Sequence, residues 1–253
     1  MVGLIPLFAV EILEGAFRER LPDFDARLTW LFKFRPDLAS LVSRWKDENS
    51  ANYTLLALMR RQRLSKVLAR LLDETEFLSD YGIRSVSKYH LAHPATVSVH
   101  GEAHEVTYTP GESTTRLFGG NSNWRGPIWM PVNFMIVVSL HRYHVFYGDD
   151  FVVEHPAGSG NRMTLDKVAT ELAGRLTRLF LRDAAGRRPY LGDSRIEQDD
   201  PHFRDKLLFH EHFHGDTGRG LGAAHQTGWT GLVALLLHPR HQLDPYLCAT
   251  KDR

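Results

Sequence analysis

The sequence predicts an all-α fold, and three observations carry that reading. About six segments space their apolar residues at helical intervals, strand-like alternation is confined to one short stretch, and no Pro/Ser-rich linker divides the 253 residues. The chain therefore reads as a single α-helical domain over residues 1–253 with one small β-hairpin.

Each element has its own signal. Residues 3–13 form an apolar, helix-like run in which Pro6 is tolerated because it falls near the first turn. No Ser, Thr, Asp or Asn precedes that run, so it reads as a helix whose upstream partner is missing. Residues 23–34 place apolar side chains at 24, 28, 31 and 32, and Pro36 closes the helix. Residues 60–73 repeat the pattern with Leu64, Val67, Leu68, Leu71 and Leu72 on one face. Val97, Val99, Val106 and Tyr108 alternate around Gly101, which predicts the hairpin. Two long helices follow. Residues 131–147 open on a proline and end at Gly148, and residues 164–182 are capped by Thr164 with Val168, Leu172, Leu176 and Leu179 in one stripe. A last helix is expected over residues 226–237, stopped by Pro239.

Composition removes several functions. Lys and Arg total 31 against 30 Asp and Glu, so the whole chain offers no field for nucleic acid or an anionic membrane surface. A single cysteine, Cys248, excludes an internal disulfide framework and a multi-cysteine zinc site. The apolar stretches fall short of the ~20 residues that span a bilayer. The N-terminal run has no basic flank of the secretory kind, which reads as a cytoplasmic chain.

Histidine is over-used, with 14 in the chain. His210, Glu211, His212, Phe213 and His214 spell H-E-x-x-H, a zinc-peptidase pattern when it lies on a helix. The third ligand is lacking: after His214 no Glu remains, and positions 217 and 220 are Thr and Gly. Four glycines in the next eight residues describe a loop, so no metal is expected.

Three long connections, residues 77–89, 118–131 and 209–229, are where function is expected. The third holds Glu211 with His225, Gln226 and Trp229, a set suited to a polyhydroxylated ligand: tryptophan for a sugar face, amide and imidazole for hydroxyls, carboxylate for acid–base work. The second packs Trp124, Arg125 and Trp129 around Gly126-Pro127, and the first offers Arg84.

The segments GGNSNWRGPIWMPVNF (119–134), FHEHFHGDTGRGLGAAHQTGWTGLVA (209–234) and FLSDYGIRSVS (77–87) resemble the C-terminal catalytic domain of glycoside hydrolase family 63, the processing α-glucosidase I family with its bacterial α-glucosidase and mannosylglycerate hydrolase relatives. The resemblance covers nearly the whole chain. It implies the C-terminal half of an (α/α)6 toroid of helical hairpins and inverting hydrolysis of a terminal α-linked sugar, which uses two carboxyls ~6.5–9.5 Å apart. It places the general base on Glu211 and the general acid, an Asp, upstream of residue 1. It also implies a carbohydrate substrate, no cofactor, and a missing N-terminal half of the enzyme as partner. His212 and Phe134 depart from the family pattern, where Tyr is expected. Two readings compete with the glycosidase part: a carbohydrate-binding or structural remnant without turnover, and the zinc peptidase.

Overall fold

The computed structural model describes residues 2–14, 19–40, 43–45, 53–112 and 125–237. Four of the expected helices form. Pro22–Phe34 starts on a proline, where no N–H is needed, and sets Asp23 and Asp25 at the positive end of its dipole. Arg61–Leu71 buries Leu64, Leu68 and Leu71, the stripe its spacing predicts. Met130–Tyr147 has proline in its first turn and stops at Gly148. Leu165–Arg178 is capped by Thr164, whose hydroxyl accepts from Lys167 N at 3.4 Å. The last two pack along each other. Ile136, Leu140 and Tyr143 from one and Val168, Leu172 and Leu176 from the other sit at the middle of a continuous core that reaches Leu64, Leu55 and Phe213.

The all-α expectation is overturned. Val10–Glu14 pairs antiparallel with Tyr53–Ala57, from Val10 opposite Ala57 to Glu14 opposite Tyr53. Ser43–Trp45 adds to the other edge, making a three-stranded sheet with Tyr53–Ala57 at its centre. Four two-stranded ladders accompany it among the described residues. The content is mixed α and β, and a half-toroid of helical hairpins is not what these elements form.

The physical reason is clearest at residues 3–13. Helical structure, a 3-10 turn at Val2–Leu4 followed by the α-turn Ile5–Phe8, ends at Phe8, and Ala9, at φ −80° and ψ 69°, leads the chain into the strand. A short apolar run fits a buried helix or a buried strand equally well, so tertiary partners decide. Here they are the apolar Tyr53–Ala57 and the Arg142 side chain, which donates to Val10 O at 3.0 Å and pairs with Glu11 at 3.4 Å. The last helix also differs from expectation. It forms as Thr227–Thr230 and Val233–Leu237, separated at Gly231, a residue costly inside a helix.

Ala95–Val99 and Glu102–Val106 form the predicted hairpin, turned by His100 and Gly101 at φ 53° and 84°. Pro22–Phe34 buries none of its residues and leaves Phe24, Trp30 and Phe34 exposed. No helix among the described residues is long and apolar enough to cross a membrane.

Candidate active site

Backbone pairing brings the three connections together. Ile128 forms antiparallel bridges with both Arg84 and Phe213. Its N–H donates to Phe213 O at 2.8 Å, Phe213 N–H returns a bond to Ile128 O at 2.9 Å, and Ser85 N–H donates to Pro127 O at 3.0 Å. Asn133, fully buried on the helix that follows, locks the junction from the side. Its Oδ1 accepts from Ile83 N at 2.7 Å while its Nδ2 donates to Ile83 O and Trp129 O, each at 3.0 Å.

The connection 209–229 folds on itself as a short hairpin, His212–Phe213 against Gly220–Leu221. Glu211 enters it with its N–H on Ala223 O at 2.9 Å, and its Oε2 accepts from Ala223 N at 3.3 Å. Glu211 is half-buried, and its carboxylate is orientated by the backbone just past the opposite strand. Gly222, at φ 68°, makes this possible: a Cβ there would lie 2.6 Å from Glu211 Oε2 and 2.8 Å from His212 Cε1.

Aromatic side chains pack against His212, the residue after Glu211. Trp129, almost fully buried, stacks on the His212 ring at 5.0 Å and meets Trp229 edge-on at 5.7 Å. Trp229 keeps 37% of its surface exposed, and His225 and Gln226 are exposed beside it. Gln226 is anchored through its backbone, with N–H on Phe209 O at 2.7 Å. Arg125 is buried, its carbonyl accepting from Thr109 N at 2.7 Å. Trp124 lies outside the described residues. The structure thus joins Trp129 to Trp229 and both to the Glu211 hairpin.

Arg84 sits elsewhere in the assembly. Its guanidinium is buried and committed within the protein, donating to Tyr108 Oη at 3.1 Å, to Asp216 Oδ1 at 3.0 Å and to the carbonyl of Leu78. Asp216 also accepts from Tyr108 Oη at 3.0 Å. Burial alone would raise the Asp216 pKa, but the bonds from Arg84 and Tyr108 and the charge of Lys88 hold it below the usual carboxylate range. Arg84 therefore works as a pin between the first connection and the third.

The H-E-x-x-H residues are not helical, since His212 and Phe213 lie in a strand. His210 and His214 are therefore not stacked one helical turn apart, and His214 Nδ1 is already taken by the N–H groups of Asp216 and Thr217, both at 3.2 Å. No group of three potential ligands is arranged to hold a metal among the described residues. A cavity of about 370 Å3 opens beside the hairpin turn, lined by His214, Thr217, Arg219, Tyr81, Arg187 and Gln198 among others, and Glu211 does not line it.

Sequence reasoning passed over Asn133, Asp216 and Gly222. Only Gly222 left a signal, in the run of glycines after His214. His212 was singled out as a departure from a family pattern, but its environment was not legible. It is fully buried, its pKa is pushed down to about 4 chiefly by that burial, and neither ring nitrogen has a protein partner among the described residues.

Residues 53–156, which include Arg84, Arg125 and Trp129, match the glycosyl hydrolase family 63 C-terminal domain. Over that segment the chain is similar to glycosyl hydrolase family 63. It is 48% identical over 237 residues to an uncharacterized protein of Saccharomyces cerevisiae, an alignment covering 92% of this chain and 22% of that protein. It is 25% identical over 165 residues to alpha-glucosidase 2 of Arabidopsis thaliana, covering 65% and 15% of the two chains. Mannosyl-oligosaccharide glucosidase of Saccharomyces cerevisiae is 23% identical over 177 residues, covering 69% and 15%. The chain spans about a fifth or less of the length of these relatives.

Proposed function

We propose that this chain is the base-bearing part of an inverting α-glycosidase that hydrolyses a terminal α-linked sugar of the glucosidase type. The observation that carries the reading is the half-buried Glu211, its carboxylate orientated by Ala223 N, in the loop whose His212 stacks on Trp129 and through it joins Trp229. An aromatic wall takes the apolar face of a sugar ring, and exposed Gln226 and His225 reach its hydroxyls. Arg125 and Trp124 complete the sugar contacts, while Arg84 acts through the position of the loop it pins. Glu211 activates water, and the general acid comes from an Asp on a longer enzyme upstream of this segment. The match to the family 63 C-terminal domain supports the class of reaction, and Glu211 is the carboxylate next in sequence to the His212 ring that stacks on Trp129.

The test uses two substrates. A general acid matters most for a poor leaving group, whereas fluoride departs without a full proton. The chain is expected to hydrolyse an α-glucosyl fluoride with inversion, read by proton NMR of the first-formed anomer, and to fail on disaccharides until joined to the upstream portion. Glu211→Gln should lower either rate by roughly 10²–10⁴-fold. Near wild-type turnover in Glu211→Gln would remove Glu211 as base. Sugar binding with no turnover of either substrate by the joined enzyme would favour a binding remnant.

A further inference from the structure

The cavity beside the hairpin turn stands apart from the reading built on Glu211, which does not line it. At about 370 Å3 it falls within the ~300–1,000 Å3 common for small-molecule sites. Each of its two sides is fixed by its own hydrogen bonds. On one side Gln198 is buried, accepts from Arg188 N at 3.0 Å, and donates to Arg188 O at 2.9 Å and Gly192 O at 3.0 Å. That holds the loop which follows the Leu165–Arg178 helix. On the other side the turn closes with Gly218 N–H on His214 O at 2.9 Å, and Gly218, at φ 72°, packs directly on the Tyr81 ring. Arg219 spans the seam between them. Its stem lies so close over Gly192 that a Cβ there would come within 2.6 Å of Cδ and 2.8 Å of Cγ.

Charge decides the class of ligand. Three arginines and two aspartates line the cavity, and the aspartates are already occupied. Asp183 Oδ1 accepts from Ala185 N and Arg187 N, both at 2.9 Å, and Asp193 lies 3.9 Å from Arg187. Arg188 donates Nη1 to the carbonyl of Phe180, while its Nε is buried with no partner among the described residues. Neither Arg188 nor Arg219 forms an ion pair among the described residues. A guanidinium partly withdrawn from water without a counter-charge is costly, and its fork of donors matches the oxygens of a carboxylate or phosphate.

We propose that this cavity binds a sugar-sized molecule through an oxyanion, a phosphate or a carboxylate, held by Arg188 and Arg219. Tyr81 and Pro189 supply the apolar surface on which the body of the ligand rests. The proposal does not depend on Glu211 being the base.

Calorimetric titration of the full chain tests it with glucose 6-phosphate, gluconate, inorganic phosphate and glucose. The better of the two sugar anions should bind at least about tenfold more tightly than glucose, which lacks the charge, and than inorganic phosphate, which lacks the body. Whichever of the two binds more tightly names the anion. Equal affinity for glucose overturns the role of the arginines, equal affinity for inorganic phosphate overturns the sugar-sized site, and no binding of either sugar anion overturns the whole. Arg219→Ala should weaken binding about tenfold, whereas Arg27→Ala, which removes the same charge from the exposed helix Pro22–Phe34, should leave it unchanged. Equal losses in both variants would mean unspecific attraction and overturn the site. A measurement on the unaltered protein covers the case in which Arg219→Ala disturbs the turn. The bound anion should shield Arg219, and not Arg27, from phenylglyoxal, read by peptide mass spectrometry. An unshielded Arg219 places the ligand elsewhere and overturns the proposal.

Discussion

Arg84 and His212 pose opposite problems at the residue scale. Arg84 is a buried charge with its partners in place, and removing Asp216 would strand it. Breaking a fully buried pair costs about 3–5 kcal/mol. Because the Asp216 side chain is 31% exposed, Asp216→Ala should cost less, roughly 2–3 kcal/mol in urea denaturation. A loss under about 0.5 kcal/mol would mean that Tyr108 and the carbonyls hold the guanidinium unaided. His212 is a titratable group kept neutral. Its folded pKa of about 4 lies below the ordinary histidine value, so the unfolded chain binds the extra proton more readily between about pH 6.5 and 4. Stability is full above that window and falls as pH drops through it, by up to about 3 kcal/mol. Asp216 and Glu171, both held below their usual range, add to the loss at still lower pH. Thermal melts at pH 7, 5 and 4 should show a falling Tm, with a shallower fall in His212→Phe. A flat profile would mean that water reaches the ring freely.

At the scale of elements, what was legible in the sequence was what local spacing decides. Arg61–Leu71 and Leu165–Arg178 each put leucines on one buried stripe, and the hairpin at Gly101 needs only alternation around a turn. The strand Val10–Glu14 was not legible, because its identity depends on Tyr53–Ala57, about 40 positions away. In the candidate site, Glu211, Trp129 and Trp229 could be picked out by chemistry alone, whereas the unmet nitrogens of His212 exist only once Trp129 covers the ring. Pro22–Phe34 is the converse case, a helix well specified locally that buries no residue. With Phe24, Trp30 and Phe34 exposed and the Trp30 and Phe34 rings 5.7 Å apart, it offers apolar surface of the kind that drives association. The isolated chain should therefore self-associate in sedimentation velocity. Replacing Trp30 and Phe34 with Glu should shift it toward monomer without lowering Tm, since neither side chain is part of the core. An unchanged distribution of species would place the adhesive surface elsewhere.

For the whole molecule, the bridges through Ile128 set an order of events during synthesis. They join residue 84 to residue 128 and residue 128 to residue 213, so the last partner leaves the ribosome about 85 residues after the strand it must meet. Pairings so distant along the chain are slow to close, and N-terminal portions emerge first. Until Phe213 arrives, the nascent chain carries Ile128 and Trp129 uncovered, an apolar edge with free backbone donors and acceptors. The same residues that shape the site are therefore the ones a chaperone has most reason to hold, and a ribosome stalled before residue 213 would display them.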